Sequence, residues 1–410
     1  MRVPRSFVFL CLVTWGVACG PGETPVAASP DTAPDNSSNN SSAASKPSAA
    51  STPSTTSNSA PLPPPPDVKP SNIKSDEVAV FIPTFATRRG DTWTLPIEPW
   101  VYEPEDDGLV RRAALKAVEE LVEIKKSDAT ADRLVSSMRP FLVDNEGGKH
   151  VVVQWGSQAA EVCETEGDGR CHGSVSLTQD AAKALTAGRA GVPTVQFRTV
   201  LRRDDTRSFG GEVQLLEDEG VSVISDIDDT IKITACHDKK ELLKNTLLRD
   251  FREAPGVAAL YQTWAKQGAA FHYVSNSPLP LLGAITRFID SAGFPRGAVQ
   301  LKPFRWKDGS FLDLLAAPED HKQRVLEELI GRFDKRRFIL VGDTGERDPE
   351  IYAAIARSFP GRIIKIYVRD PRAATPGLET RLDAAFEGLP RSLWQVFVDG
   401  SDITDAVPGS

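Results

Sequence analysis

The stretch Val223-Ile224-Ser225-Asp226-Ile227-Asp228-Asp229-Thr230 decides the fold of the larger part of this chain. Its apolar half predicts a buried strand, and its polar half places three carboxylates and a hydroxyl directly after that strand. Open α/β sheets bind their ligands at the carboxyl ends of the strands. Because side chains alternate along an extended backbone, Asp226 and Asp228 are expected on the same face. The stretch therefore predicts an α/β domain with an acidic site.

Carboxylates this close together repel one another unless a cation lies among them. Mg²⁺ prefers oxygen ligands and often binds through one or two carboxylates plus a phosphate, so we expect Mg²⁺ and no organic cofactor. A calcium loop is the alternative. Such a loop has acids at every second position, then a glycine and a distal glutamate, whereas here Ile231-Lys232 follows.

Two later apolar runs end in polar side chains that can complete the same site. One ends at Ser275 and Asn276, whose hydroxyl and amide groups can hydrogen-bond a phosphoryl oxygen. Another ends at Asp343, and Asp348 follows in the next loop. The two acids are suited to completing a metal site. Parallel strands would bring these side chains to one edge of a sheet.

A lysine is expected to balance the charge of the acids and of a bound phosphate. Lys322 opens a predicted helix that leads into the strand before Asp343. Lys302 also follows a predicted strand and is the alternative candidate. Both lysines remain candidates on the residues alone, and the resemblance described below favours Lys322.

These segments resemble, in order, the four motifs of the haloacid dehalogenase superfamily of phosphohydrolases. Residues 226–230 resemble the first motif, Ser275 the second, Lys322 the third and residues 342–348 the fourth. The longer strings resemble the actin-patch-associated phosphatidate phosphatase family, over about residues 76 to 400. These strings are Ser225-Asp226-Ile227-Asp228-Asp229-Thr230-Ile231-Lys232, Tyr273-Val274-Ser275-Asn276-Ser277-Pro278 and Val341-Gly342-Asp343-Thr344-Gly345-Glu346-Arg347-Asp348-Pro349-Glu350-Ile351-Tyr352.

The resemblance implies a Mg²⁺-dependent phosphatase that forms an aspartyl-phosphate on Asp226. Asp228 would protonate the leaving oxygen and then activate water. The Asp226 carboxylate, the backbone carbonyl of Asp228 and Asp343 would hold the metal, and Asp348 would support its water shell. The remaining roles are phosphate binding by Ser275, Asn276 and Lys322, and fixing of the first loop by Thr230.

The resemblance and the absence of a large inserted lid favour phosphatidate as the substrate, with diacylglycerol as the product. Only one short amphipathic helix, around Lys239 to Phe251, follows the first motif. Its leucines are expected to pack on the core; docking of the helix on an anionic lipid surface is the alternative. A phospholipid or membrane surface is therefore the expected partner.

Two other functions remain open at this point. The same chemistry could act on a soluble phosphate ester or a phosphoprotein. Alternatively, the chain could be a surface-tethered, non-catalytic binding protein. The net charge of −8 argues against nucleic acid as a partner.

The first 72 residues predict export and a tether. Residues 1–19 read as a signal peptide that ends in a lipobox-like sequence at Cys19, with glycine where leucine is usual. Residues 20–72 are rich in serine, proline and threonine and predict a disordered tether. We expect an exported protein lipid-anchored at Cys19 to a bacterial membrane; secretion without an anchor is the alternative.

Two folded parts are expected after the tether. Residues 73–220 predict a β-rich, sandwich-like accessory domain with one helix over residues 111–126. Its predicted strands cover residues 78–82, 92–102, 151–155, 173–177, 195–201 and 211–216. Residues 221–400 predict the phosphatase domain, a Rossmann-like parallel sheet with helices on both faces. Cys163 and Cys171 are expected to form a disulfide, and Cys236 a free thiol.

Overall fold

The computed structural model describes residues 68–104, 128–188, 191–304, 319–404 and 406–407. The expected signal peptide, Cys19, nearly all of the expected tether and the helix expected over 111–126 lie outside these residues. Within them, no helix has the length and apolar character needed to cross a membrane.

The β-rich character of the first part is confirmed. Its strands are β1 (Val78–Phe81), β2 (Thr84–Arg89), β3 (Thr92–Ile97), β4 (Pro99–Pro104), β5 (Val143–Asn145), β6 (His150–Trp155), β7 (Gln158–Glu164), β8 (Gly173–Thr178), β9 (Thr194–Thr199) and β10 (Gly210–Leu216). They form a three-stranded sheet in the order β1-β4-β5 and a seven-stranded sheet in the order β7-β6-β9-β10-β2-β3-β8. The described residues between β4 and β10 also form α1 (Asp128–Met138) and α2 (Gln179–Thr186). Leu134 and Met138 of α1 are buried in the same core as Val223.

The single strand expected over residues 92–102 is wrong, because two strands in different sheets occupy this segment. β3 ends at Ile97 and pairs with β8, whereas β4 begins at Pro99 and pairs with β1. Proline lacks the N–H that a ladder needs and is tolerated at the first residue of a strand. Pro99 therefore marks the start of the second strand.

The disulfide joins Cys163 to Cys171, with 6.0 Å between their Cα atoms. Cys163 lies in β7, and Cys171 lies two residues before β8. The loop between them turns at Gly169, whose φ of 75° favours glycine. Cys236 is a free, partly buried thiol.

The second part contains a six-stranded sheet in which all neighbouring strands are parallel. Its strands are β11 (Val221–Ser225), β12 (Ala270–Pro278), β13 (Ala298–Lys302), β14 (Arg337–Asp343), β15 (Ile363–Arg369) and β16 (Trp394–Phe397). Their order is β13-β12-β11-β14-β15-β16. The expected parallel sheet is therefore present, and β11 lies at its centre.

Helices cover both faces of this sheet. They are α3 (Lys239–Leu243), α4 (Val257–Lys266), α5 (Leu282–Ser291), α6 (Glu319–Gly331), α7 (Asp348–Ser358) and α8 (Leu378–Ala385). One core contains residues of α4 and α5 together with Val223, and the other contains residues of α6 and α7 together with Ile224. Consecutive residues of β11 thus enter opposite cores, as the alternation of a strand requires.

The helix expected over Lys239 to Phe251 is shorter than its pattern suggested. α3 ends at Leu243 and continues as a single π-type turn over Lys244–Leu248. Leu243 and Leu247 are buried in the core, as expected for a helix that packs on the domain.

Candidate active site

Asp226 and Asp343 lie at the carboxyl ends of two adjacent strands in the centre of the parallel sheet. Asp226 follows β11 directly, and its N–H donates to the carbonyl of Val341 in β14 at 2.8 Å. The chain runs from β11 to β12 on one side, while β14 lies on the other side. The strand order therefore reverses between β11 and β14. A crevice forms at such a switch point, where the order reverses, and α/β proteins bind ligands there. The sheet therefore positions both acids where a ligand site is expected.

Three carboxylates meet at this point. One oxygen from each of Asp226, Asp343 and Asp348 lies within 4.8 Å of the others, and all three residues are buried. Asp348 is the first residue of α7, and its Oδ2 accepts a hydrogen bond of 3.3 Å from the Asp343 N–H. The sequence placed Asp348 in a supporting role, whereas the structure brings it as close as the other two.

Burial dominates the electrostatics of these acids. It raises the pKa of Asp226 well above its usual value, and Lys322 opposes this shift while Asp348 adds to it. Burial also raises the pKa of Asp343, and the nearby charges of Asp348 and Glu346 act in the same direction. Two oxygens, Asp226 Oδ2 and Asp343 Oδ1, are buried without a hydrogen-bond partner among the described residues. Orphaned carboxylate oxygens of this kind are suited to a cation.

Lys322 supplies positive charge to this acidic cluster from α6. Its Nζ donates to Asp226 Oδ1 at 2.9 Å and to Asp348 Oδ1, and it lies 4.0 Å from Glu346 Oε2. Burial lowers the pKa of Lys322, but Asp226 and Asp348 outweigh that effect and raise it well above its usual value. Lys302, the alternative, lies at the end of the edge strand β13, which β12 separates from β11.

Asp228 has a separate set of partners from that of Asp226. Its Oδ1 accepts from Thr234 Oγ1 at 2.8 Å and lies 2.8 Å from Lys232 Nζ. Its Oδ2 accepts from Ser275 Oγ at 3.0 Å and Ser277 Oγ at 2.7 Å. Burial favours the neutral acid, but Lys232 and the hydroxyls more than compensate and lower the pKa of Asp228 to about 2. This carboxylate is therefore ionised at neutral pH and held in one orientation.

Asp229 fixes the loop after the first strand. Its carboxylate accepts hydrogen bonds of 2.8, 2.8 and 2.6 Å from the backbone N–H groups of Thr234, Ala235 and Cys236. Its φ of 55° lies in the left-handed region, which aspartate tolerates better than most residues. The expected role of Thr230 has no such support, because its buried hydroxyl has no partner in the described part of the chain.

Asn276 contacts a glutamate rather than any of the three clustered aspartates. Its Nδ2 donates to Glu346 Oε2 at 3.1 Å, and its buried Oδ1 has no hydrogen-bond partner within the described ranges. Glu346 lies in the loop between β14 and α7, and its side chain is partly exposed. Burial is the main cause that raises its pKa.

Sequence reasoning missed several of these partners. Ser277 could have been found, because it lies two residues after Ser275 and so faces the same side of the strand. Lys232 is buried against Asp228 and places its Nζ 4.4 Å from the centre of the Phe251 ring. Its burial and the contact of Thr234 with Asp228 depend on how the following loop folds back, and no local pattern signals that.

Part of the chain that contains most of the parallel sheet is similar to a known family. Residues 221–370 match the family described as "Phosphatidate phosphatase APP1, catalytic domain". This range contains every expected catalytic, phosphate-binding and metal-binding residue. The match supports the resemblance to the actin-patch-associated phosphatidate phosphatase family.

Two fungal proteins are similar to this chain over parts of their length. Phosphatidate phosphatase APP1 of Saccharomyces cerevisiae is 35% identical over 154 residues, which are 37% of this chain and 26% of the yeast protein. An uncharacterized protein of Schizosaccharomyces pombe is 30% identical over 188 residues, 45% of this chain and 31% of that protein. The chain thus spans about a third or less of these relatives.

Among solved structures, a sialyltransferase from Photobacterium damsela aligns with a TM-score of 0.23 and 9% identity. The alignment covers 61% of this chain and 49% of the sialyltransferase. A likeness this low does not bear on the fold.

Proposed function

We propose that this protein is a Mg²⁺-dependent phosphatase of the haloacid dehalogenase type that converts phosphatidate to diacylglycerol and phosphate. The family match over residues 221–370 and the yeast relative's name support the reaction class. The meeting of Asp226, Asp343, Asp348 and Lys322 at the sheet switch point supports the position of the site.

The residues present fit a divalent cation. Asp226 Oδ2 and Asp343 Oδ1 are buried without partners among the described residues, and hard oxygen donors are the ligands that Mg²⁺ prefers. We assign them as ligands together with Asp348 and the backbone carbonyl of Asp228. When bound, Mg²⁺ would neutralise charge between the attacking carboxylate and the phosphoryl group.

Asp226 is the nucleophile in this proposal. One of its oxygens attacks phosphorus, the bond from phosphorus to the leaving oxygen breaks, and an aspartyl-phosphate forms. Lys322, at 2.9 Å, offsets the negative charge of Asp226 and of the incoming phosphoryl oxygens. Water then attacks phosphorus, releases inorganic phosphate and restores the carboxylate.

Asp228 handles the proton in both steps. With a pKa of about 2 it is ionised in the ligand-free site, so it is ready to accept the proton of the attacking water. The leaving alkoxide needs a proton in the first step. A singly protonated phosphate monoester carries one, because its second pKa is near 6. Asp228 would relay that proton to the leaving oxygen, with Ser275 and Ser277 fixing its orientation.

One observation carries this proposal: the nucleophile candidate Asp226 shares a buried cluster with two further acids and the lysine Lys322. The test is phosphate release by the full chain from phosphatidate in mixed micelles and from p-nitrophenyl phosphate, with Mg²⁺ or EDTA. Asp226→Asn is the inactive control, because the amide has nearly the same shape but is not nucleophilic.

The outcomes separate the candidate substrates. Release that depends on Mg²⁺ and Asp226, and is much faster from phosphatidate, supports the lipid phosphatase. Release from the soluble ester alone retains the chemistry and removes the lipid. If neither substrate is hydrolysed, the proposed activity fails for these substrates and the binding-protein alternative gains weight.

We propose membrane attachment through a lipid on Cys19, which lies outside the described residues. A phospholipid substrate suits an enzyme held at a membrane. Metabolic labelling with a radioactive fatty acid should label the natural chain and not the Cys19→Ser variant. Equal labelling of both would remove this part of the proposal.

A further inference from the structure

The carboxylate of Glu346 lies where two of the proposed phosphate-binding groups converge. Its Oε2 accepts a hydrogen bond of 3.1 Å from Asn276 Nδ2 and lies 4.0 Å from Lys322 Nζ. Asn276 therefore donates to this anionic oxygen, and the charge of Lys322 lies within ion-pair distance of it. Carboxylate and phosphoryl oxygens accept charge-assisted hydrogen bonds in similar ways. Glu346 Oε2 therefore marks a place that suits a phosphoryl oxygen.

We propose that Glu346 is a displaceable internal anion that fills a phosphoryl-oxygen position in the ligand-free site and swings out when a phosphate monoester binds. This inference rests on the proposed phosphatase function and identifies a residue that determines its specificity. It assigns Glu346 neither to the nucleophile nor to the metal ligands.

The exposure of Glu346 is what allows it to leave. Its side chain is 26% exposed, whereas those of Asp226 and Asp348 are at most 1% exposed, and Asp343 is fully buried. Among these acids, Glu346 has a direct route to water. Its rotation replaces the contact with Asn276 by solvation and so costs little.

The backbone under Glu346 is held while the side chain moves. Arg381 donates from Nη1 to the carbonyl of Thr344 and from Nη2 to the carbonyl of Glu346, each at 2.6 Å. Arg381 is in turn anchored by Glu350 at 2.7 Å. The motion is therefore expected to be a side-chain rotation, on the picosecond-to-nanosecond timescale, rather than an opening of the loop.

Charge gives the reason for the displacement. A phosphate brought to Lys322 with Glu346 still in place would add its charge to nearby carboxylates that include Asp226, Asp348 and Glu346. Departure of Glu346 removes one negative charge from beside Lys322 and frees the Nδ2 donor of Asn276. A phosphate monoester has three unsubstituted oxygens, so one can accept from Asn276 while another lies near Lys322. A diester has only two unsubstituted oxygens, so the exchange favours monoesters.

The test compares the binding of inorganic phosphate to the full chain and to Glu346→Gln by calorimetry, with and without Mg²⁺. Glutamine has the same shape and can still accept from Asn276, but it lacks the charge. Glu346→Gln is expected to bind phosphate about tenfold or more tightly than the natural chain. Its KM for p-nitrophenyl phosphate should fall by a similar factor, with kcat changed little.

Glu379→Gln is the matched control, because Glu379 is an exposed glutamate in the first turn of α8. It removes the same charge from the surface and should leave the phosphate affinity within about twofold. Glu346→Ala tests whether the gain comes from the amide that glutamine introduces. This variant has no amide side chain and should also bind phosphate more tightly. Thermal unfolding establishes that each variant is folded.

Unchanged or weaker phosphate binding by Glu346→Gln overturns the inference, as does undetectable binding by both proteins. The proposed function is judged separately, from Asp226-dependent phosphate release. The natural chain can pass that test while Glu346→Gln fails to gain affinity, and then only the role of Glu346 is lost. If release fails but Glu346→Gln gains affinity, the displacement stands and the reaction does not.

Discussion

Lys322 and Asp226 form an ion pair in which both side chains are 1% exposed and Nζ lies 2.9 Å from Oδ1. The two residues are far apart in the sequence, one following β11 and the other in α6. A buried charge that loses its partner is strongly destabilising. This pair therefore links the stability of the domain to the charge balance of its site.

Replacement of Lys322 by methionine should lower both the rate of phosphate release and the stability of the domain. We expect phosphate release to fall about a thousandfold, because a positive group at the transferring phosphoryl is lost. The free energy of unfolding should fall by about 3 kcal/mol, because Asp226 and Asp348 lose their buried counter-charge. Phosphate release and urea unfolding measure the two effects.

Lys302→Met is the comparison, since the sequence left Lys302 as the alternative phosphate-binding lysine. It should keep phosphate release within about twofold of the natural chain. If Lys302→Met is the inactive variant and Lys322→Met is not, the assignment of Lys322 is wrong.

Asp229 should be more important for stability than for chemistry. Asp229→Ala removes the acceptor for three backbone N–H groups and places alanine at a φ of 55°. We expect a loss of about 3 kcal/mol in the free energy of unfolding. Asp229→Asn keeps one acceptor oxygen and tolerates the left-handed conformation, so it should lose about 1 kcal/mol. Equal losses in urea unfolding would contradict the proposed anchoring of the loop.

Asp343 should stabilise the protein only when a metal is bound. Burial raises the pKa of Asp343, so its charge is unfavourable in the folded protein without a cation. In EDTA at pH 7, Asp343→Asn should therefore be more stable than the natural chain, by about 1 kcal/mol or more. Mg²⁺ at a hundred times its dissociation constant should add about 2.7 kcal/mol to the natural chain.

The same concentration of Mg²⁺ should stabilise Asp343→Asn much less. The natural chain should then be the more stable of the two proteins, whereas in EDTA it is the less stable. Differential scanning calorimetry at several Mg²⁺ concentrations measures this reversal. An equal gain in both proteins would remove Asp343 from the metal ligands.

Much of the parallel sheet could be predicted, because its information is local. Strands such as β11 and β14 are rich in buried apolar residues, and an acid stands directly after β11 and at the last position of β14. The β-rich part was harder to predict. Short strands such as β5, with no buried residue, and β7, with none fully buried, lack the apolar pattern that signals a strand.

In the candidate site, too, some residues could be predicted from local sequence and others could not. Asp226, Asp228 and Asp343 are signalled by their place after strands, but their partners are not. The contacts of Thr234 with Asp228 and of Glu346 with Asn276 depend on how separate loops meet. Asp229 was visible as an acid, and only the folded loop shows that it accepts three backbone hydrogen bonds.

Buried His272 should make the protein sensitive to acid. It lies in β12, where its Nε2 is 3.1 Å from Ser222 Oγ and its ring meets Phe85 at 4.8 Å between centroids. Burial, reinforced by the charges of Arg336 and Arg332, lowers its pKa from 6.5 to about 3. Between these values the folded protein keeps the histidine neutral, while the unfolded chain binds a proton.

The contribution of His272 to stability should therefore be fully present above pH 6.5 and fall by about 1.4 kcal/mol per pH unit as the pH falls toward 3. His272→Asn can still hydrogen-bond Ser222 but does not titrate. Between pH 6.5 and pH 3, the unfolding free energy of His272→Asn should therefore decline less steeply than that of the natural chain, by about 1.4 kcal/mol per pH unit. This difference in slope does not depend on the stability of the variant at pH 7. Urea unfolding in EDTA at half-unit steps from pH 7 to pH 4 measures both slopes. Parallel slopes would show that His272 is not the group that couples folding to acid.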